Sequence, residues 1–154
     1  MELKKHTFLA ALLVALVVLL LCAAYISSMS APISPSSTTE LTIASTTVLA
    51  EVVSTEAARE QGLSGRTSLG EGTAMLFIFD SAELWGIWMK DMLFSIDIVW
   101  ADAEGTIVTI EENVSPSTYP TAFRPTSPSL YVVELPAGFV AAHNISLGSK
   151  IVVQ

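Results

Sequence analysis

The chain has 154 residues, enough for one domain and hardly for two, and its formal net charge is −8. From Ala31 onward five Lys/Arg stand against fourteen Asp/Glu. Such an acidic unit repels phosphate backbones, so neither a nucleic-acid partner nor a polybasic membrane-surface mode is expected of it.

Residues 1–7 carry Lys4 and Lys5, and no basic residue follows until Arg59. Between them, Phe8 to Ile26 is a run of nineteen residues without a charge, twelve of them Leu, Val, Ile or Phe. This run explains much of the 51% hydrophobic content and the mean hydropathy of +0.59. As a helix it would reach roughly 28 Å, about the hydrocarbon thickness of a bilayer. The charge bias puts residues 1–7 in the cytoplasm and the bulk of the chain outside. Three fates are open for residues 8–26. It exceeds the usual signal-peptide core and reads first as a single-pass signal anchor in the cytoplasmic membrane. Cleavage after Ser28-Met29-Ser30 would give a secreted protein. Lipidation at Cys22 would give a lipid-anchored one. Cys22 is the only cysteine, so the rest of the chain has no disulfide, Cys metal ligand or Cys nucleophile.

Residues 27–39 are rich in Ser, Pro and Thr, lack periodicity and charge, and read as a linker. The folded domain is then 40–154. Short strands are predicted near Leu41–Ala44, Val48–Val53, Met75–Phe79, Trp85–Met89, Ile96–Ala101, Thr106–Glu111, Leu130–Leu135 and Lys150–Val153. Met75–Phe79 is continuously apolar, as a central strand buried on both faces would be. Ile96, Ile98 and Trp100 should point one way and Asp97 the other. Asp102–Gly105 reads as a hairpin turn with Gly105 at positive φ. A helix is expected at Glu56–Gln61, capped by Thr55 and stopped by Gly62, and a second helical turn at Ala137–His143. The expected fold is α+β and mainly β: a small barrel-like domain with one or two short helices, preceded by a single transmembrane helix.

Six fragments then occur in order: Gly62-Leu63-Ser64-Gly65-Arg66, Ala74–Phe79, Trp88-Met89-Lys90-Asp91-Met92, Ile96-Asp97-Ile98, Gly105-Thr106-Ile107 and Val133–Gly138. In this series the chain resembles the prokaryotic domain-of-unknown-function family 192, over about Val48 to Val153. The resemblance implies a compact β-rich fold and frequent export, and it implies no activity. The chain departs from the family pattern at Ala74, at Asp91 and Met92, and at Gly148-Ser149, so a site built on those positions would be altered here.

The candidate ligand-binding residues are Arg66, Trp88, Lys90, Asp97 and Glu134, polar or aromatic groups set among apolar strand residues. Charges there are costly unless paired. One reading pairs Arg66 or Lys90 with Asp97 or Glu134 to hold the sheet together. The other makes a groove floored by Trp88, with Arg66 and Lys90 receiving an anionic or hydroxyl-rich small ligand or an envelope polymer. Asp97 with Glu134 is also the one candidate acid/base pair, as a metal-independent hydrolase would need. His143 is the only histidine of the domain, and no calcium loop, P-loop or dinucleotide fingerprint occurs, so no metal and no cofactor are expected. Ser115–Ser129, with four prolines, reads as a long surface crossing or a loop for a protein partner. The preferred function is a non-catalytic ligand-binding or accessory module at the cell envelope. The alternatives are an interaction or assembly role through residues 115–129, and the hydrolase.

Overall fold

The computed structural model describes residues 16–21 and 37–154. Residues 16–21 are helical (α1) with exposed side chains. The rest of the apolar run 8–26 expected to span the membrane lies outside the described residues. Among the described residues no helix is long and apolar enough to cross a membrane.

Period-two alternation organises the remainder. Seven strands form one sheet in the order β6-β5-β8-β3-β2-β1-β9. They are β1 (Ser37–Ile43), β2 (Thr46–Val53), β3 (Thr73–Glu83), β5 (Ile96–Ala101), β6 (Ile107–Val114), β8 (Ser129–Pro136) and β9 (Ile151–Val153). β4 (Ile87–Trp88) and β7 (Ala122–Phe123) pair separately. All neighbours in the large sheet are antiparallel except β2 and β3. That parallel pair needs a crossover, and the connection between them holds α2 (Glu56–Gln61).

The sheet curls into a half-barrel. Its edge strands meet at one end, where Ile107 N donates to Ser149 O (2.8 Å) and Ile151 N to Gly105 O (2.8 Å). Alternate residues from all seven strands, among them Ile43, Ala50, Leu76, Val99, Ile107, Val133 and Ile151, fill the interior. Phe139 and Val140 of α3 (Phe139–Ala142) join the same core. The intervening residues of the central strands point outward into a second core: Met75, Phe77 and Phe79, Ile96, Ile98 and Trp100, and Val132. Leu63, Ile87, Met89 and Met92 cover that outer core. β3 therefore matches its reading as a central strand buried on both faces.

Several boundaries differ from the sequence reading. The linker expected to run to residue 39 ends earlier, because Ser37, Thr38 and Thr39 pair with Val52, Glu51 and Ala50 and extend β1. Backbone pairing, which makes no use of apolar side chains, recruits these polar residues. The expected strand Trp85–Met89 shrinks to two residues, since the Trp85 indole turns back to donate to Ser81 O (2.9 Å) and stacks on Phe79. Residues 115–129 are tied down rather than structureless. Pro116–Thr118 form a 3-10 turn, Ala122–Phe123 pair with β4, and Arg124 donates to Leu84 O (2.8 Å). α2 forms where Thr55 and Gly62 predict it, with Thr55 accepting from Ala58 N.

Gly105 is essential to the seam between the edges. Its φ is +75°, and a Cβ there would lie 2.6 Å from the Ile151 carbonyl oxygen. Gly105→Ala should therefore destabilise the domain by about 1–3 kcal/mol, read as a lower urea midpoint in equilibrium unfolding.

Candidate functional site

Two loops build the site by holding each other. α2 ends at Gly62, and the chain turns back so that Leu63 is buried and Ser64 and Gly65 face the turn after β4. There Ser64 Oγ donates to Lys90 O (2.8 Å), and Gly65 N donates to Asp91 O (2.9 Å). Between α2 and this turn runs an open groove of about 410 Å³, walled by Ala57, Glu60, Gln61, Ser64, Lys90 and Asp91. A smaller cavity of about 60 Å³ adjoins it, since Glu60, Gln61 and Ser64 line both. Its deeper walls are Leu63, Phe77, Ile87 and Met92, with Trp88 and Glu134 also lining it.

Trp88 follows from the β4 alternation: Ile87 and Met89 are buried, and Trp88 is 46% exposed. The Lys90 ammonium lies 5.8 Å from its ring centre, and Tyr119 packs edge-on at 6.2 Å. The ring is thus braced on two sides while keeping exposed surface at the cavity.

Glu134 is the unusual group. β8 sends Val133 and Leu135 to the barrel interior, so Glu134 goes with Val132 to the outer core, between Met75 and Ile98 on the flanking strands. The residue is 5% exposed, and its Oε2 has no hydrogen-bond partner among the described residues. Desolvation by burial raises its pKa from 4.5 to about 8, against a lowering influence from the Arg66 charge. Glu134 is thus largely a neutral carboxylic acid at pH 7. Arg66 does not neutralise it, because its guanidinium is engaged in a bidentate pair with Glu51 (2.7 and 2.9 Å). That hydrogen bond raises the Arg66 pKa further. In register, Glu51 sits beside Met75 and Met75 beside Glu134, which puts all three on one face.

A profile of the DUF192 family, described as Uncharacterized ACR, matches residues 39–153. The chain belongs to this family. Two crystal structures have the same fold. One is a Sinorhizobium meliloti 1021 protein described as a candidate transcription regulator: 27% identity, TM-score 0.73, covering 77% of this chain and 95% of that one. The other is a Novosphingobium aromaticivorans DSM 12444 protein of unknown function: 25% identity, TM-score 0.72, covering 79% and 89%. No curated protein matches the chain. In this DUF192 domain the fragments that carry the family resemblance converge on the cavity, which takes Leu63, Phe77, Trp88, Met92 and Glu134 from four of them.

Of the five candidate residues, Trp88, Lys90 and Glu134 come together at the groove and its cavity. Arg66 lies near Glu134 but is committed to Glu51. Asp97 is elsewhere. It is 0% exposed and faces the barrel interior, beside Leu135 in register. Its carboxyl accepts from Asn113 N (2.8 Å), Gly138 N (3.1 Å) and Val140 N (2.9 Å), tying β6 to the start of α3. The expected pairing of Arg66 or Lys90 with Asp97 or Glu134 therefore does not form; Arg66 takes Glu51, and Lys90 lies over one face of the Trp88 ring. Asp97 and Glu134 occupy opposite faces of the sheet, so they do not make an acid/base pair. Sequence reading missed Glu51 and Tyr119. Glu51 sits at an outward position of β2, which marks it as a possible ion-pair partner, but nothing local names Arg66. Among the described residues no cluster of His, Cys, Asp or Glu is arranged to hold a metal ion.

Two outcomes follow from these placements. Asp97→Asn replaces an acceptor oxygen with a donor facing buried amides, and it should cost about 2–3 kcal/mol in urea unfolding while leaving the groove unchanged. For Glu134, the folded pKa lies above the unfolded value. Its contribution to stability is fully present below about pH 4.5 and is lost as pH rises to about 8. Glu134→Gln should remove that loss, so the variant gains stability relative to wild type across this window. The check is unfolding free energy measured from pH 5 to 9 on both proteins.

Proposed function

We propose that this DUF192 domain is a non-catalytic ligand-binding module, held outside the cytoplasmic membrane by the N-terminal apolar segment. The anchor reading rests on the uncharged run 8–26 and on Lys4 and Lys5 before it. The ligand reading rests on one observation: an exposed, braced Trp88 at the mouth of a cavity whose base holds a buried carboxyl oxygen without a partner. Sites for small molecules combine an apolar surface with a few convergent polar groups.

The ligand class that fits best is uncharged and hydroxyl-rich, such as a saccharide or a stretch of envelope glycan. A Trp face receives the apolar face of a sugar ring, while Glu60, Gln61 and Ser64 offer hydrogen bonds along the groove. An anionic ligand fits less well, because Arg66 is occupied by Glu51. Transcription regulation, the description carried by the Sinorhizobium protein, is not adopted, since the domain's acidic balance opposes nucleic-acid binding. A docking role for residues 115–129 is weakened by the bonds that fasten them to the domain.

The test is tryptophan fluorescence of the full chain in detergent micelles, titrated with soluble neutral glycans such as chitotetraose and cellotetraose. A saturable change is expected. Trp88→Ala should abolish most of it and weaken binding at least about tenfold, with little change in thermal midpoint, because the ring is half exposed. A wild-type protein that gives no saturable response to any neutral glycan would remove the reading.

A further inference from the structure

The cavity beneath Trp88 shares polar lining with the groove beside it and adds apolar walls. Arg59, Glu60, Gln61 and Ser64 line its polar side, and the buried Leu63, Phe77, Ile87 and Met92 line its apolar side. Beside the apolar walls lies Glu134 Oε2, a buried polar atom without a hydrogen-bond partner among the described residues. A hydroxyl arm would satisfy that atom but would gain nothing from four apolar walls. The complementary group is short and has one hydrogen-bond acceptor and one small alkyl end. A cavity of about 60 Å³ admits a group of that size.

We propose that the cavity is an acyl subsite, in which the Glu134 carboxyl donates a hydrogen bond to the carbonyl oxygen of an acetamido group while the methyl rests on the apolar walls. The inference rests on the ligand-binding reading above and narrows it to N-acylated amino sugars. Trp88 would hold the ring at the mouth, and Glu134 would be the specificity-determining residue.

The donor role requires the protonated acid, and the surroundings favour it. Burial keeps Glu134 neutral to about pH 8. The flanking residues on β3 and β5, Met75 and Ile98, are apolar. From β2, Glu51 is neutralised by Arg66. From α2, Arg59 and Glu60 line the cavity, and Arg59 donates to the carbonyls of Ser54 and Ile78. Lys90 and Asp91 stand at the groove with opposite charges. Above about pH 8 a carboxylate would face the carbonyl oxygen and repel it. A glutamine in its place keeps an N–H donor and cannot ionise.

The experiment compares methyl N-acetyl-β-D-glucosaminide with methyl β-D-glucopyranoside on the full chain in micelles, following the Trp88 indole N–H by NMR. The acetamido sugar is expected to bind about tenfold or more tightly than the hydroxyl sugar at pH 6.5. That preference should fall as pH passes 8 in the wild type, persist at all pH values in Glu134→Gln, and vanish in Glu134→Leu. Equal affinity for the two sugars, with Trp88 perturbed by both, would overturn the acyl subsite and leave the binding module standing; it is also the result expected if the cavity serves only a structural water. Silence from both sugars would overturn the acyl subsite, and silence from the neutral tetrasaccharides as well would remove the parent reading with it. N-acetylglycine methylamide binding as tightly as the acetamido sugar would overturn the assignment to sugars in favour of acylated peptides.

Discussion

A strand buried on both faces has no neutral place for an ionisable side chain, and much of this domain follows from that constraint. β3, β5 and β8 lie at the centre of the curled sheet, with the barrel interior on one side and the outer core on the other. Over residues 74–79, 96–101 and 132–135 each side chain is committed to one core or the other by its parity. Asp97 and Glu134 fall on such strands and are buried, at 0% and 5% exposure. The cost of burying each must be met locally or avoided by protonation.

The two carboxyls meet it in opposite ways. Asp97 points inward to where β6 and the turn before α3 bring three backbone amides, and all three donate to it. The carboxyl thereby satisfies orphan donors at the start of a helix too short to stand alone. Its role is to join three segments of chain. Glu134 points outward to a place where no donor waits. Arg66, whose charge acts on Glu134, is held by Glu51, so burial dominates and the acid holds its proton. One group is a structural clamp; the other is a poised hydrogen-bonding group at the base of a cavity. Ionisable groups that are buried are usually paired, and an unpaired one beside a cavity is a recognised mark of a site.

The covering layer turns this lone acid into a usable feature. If the 62–66 loop and the turn at 89–92 packed flat on the outer core, Glu134 would be sealed. Instead they hydrogen-bond to one another, Ser64 to Lys90 and Gly65 to Asp91, and leave an opening between them and α2. The strap at 115–128 stiffens the opposite side. Tyr119 braces Trp88, and Arg124 lies over Gly86, where a Cβ would meet its guanidinium at 3.2–3.4 Å. The rigid mouth and the apolar depth are thus set by loops, and the polar atom at the base is set by a strand.

The sequence by itself determined the local elements and the parity of the strands. Alternation separates Ile96, Ile98 and Trp100 from Asp97, Thr55 and Gly62 bound α2, and Gly105 takes the positive φ its turn requires; each rests on interactions within a few residues. The family was likewise legible, because its fragments are short and ordered along the chain. Which charges meet was decided only by the tertiary structure. Arg66 and Glu51 are fifteen positions apart and are joined by the parallel β2–β3 crossover. Asp97 finds amides sixteen, forty-one and forty-three positions away. Parity gives the face of a residue, but pairing depends on strand order and register, which arise from packing two cores at once and have no signature in any single segment.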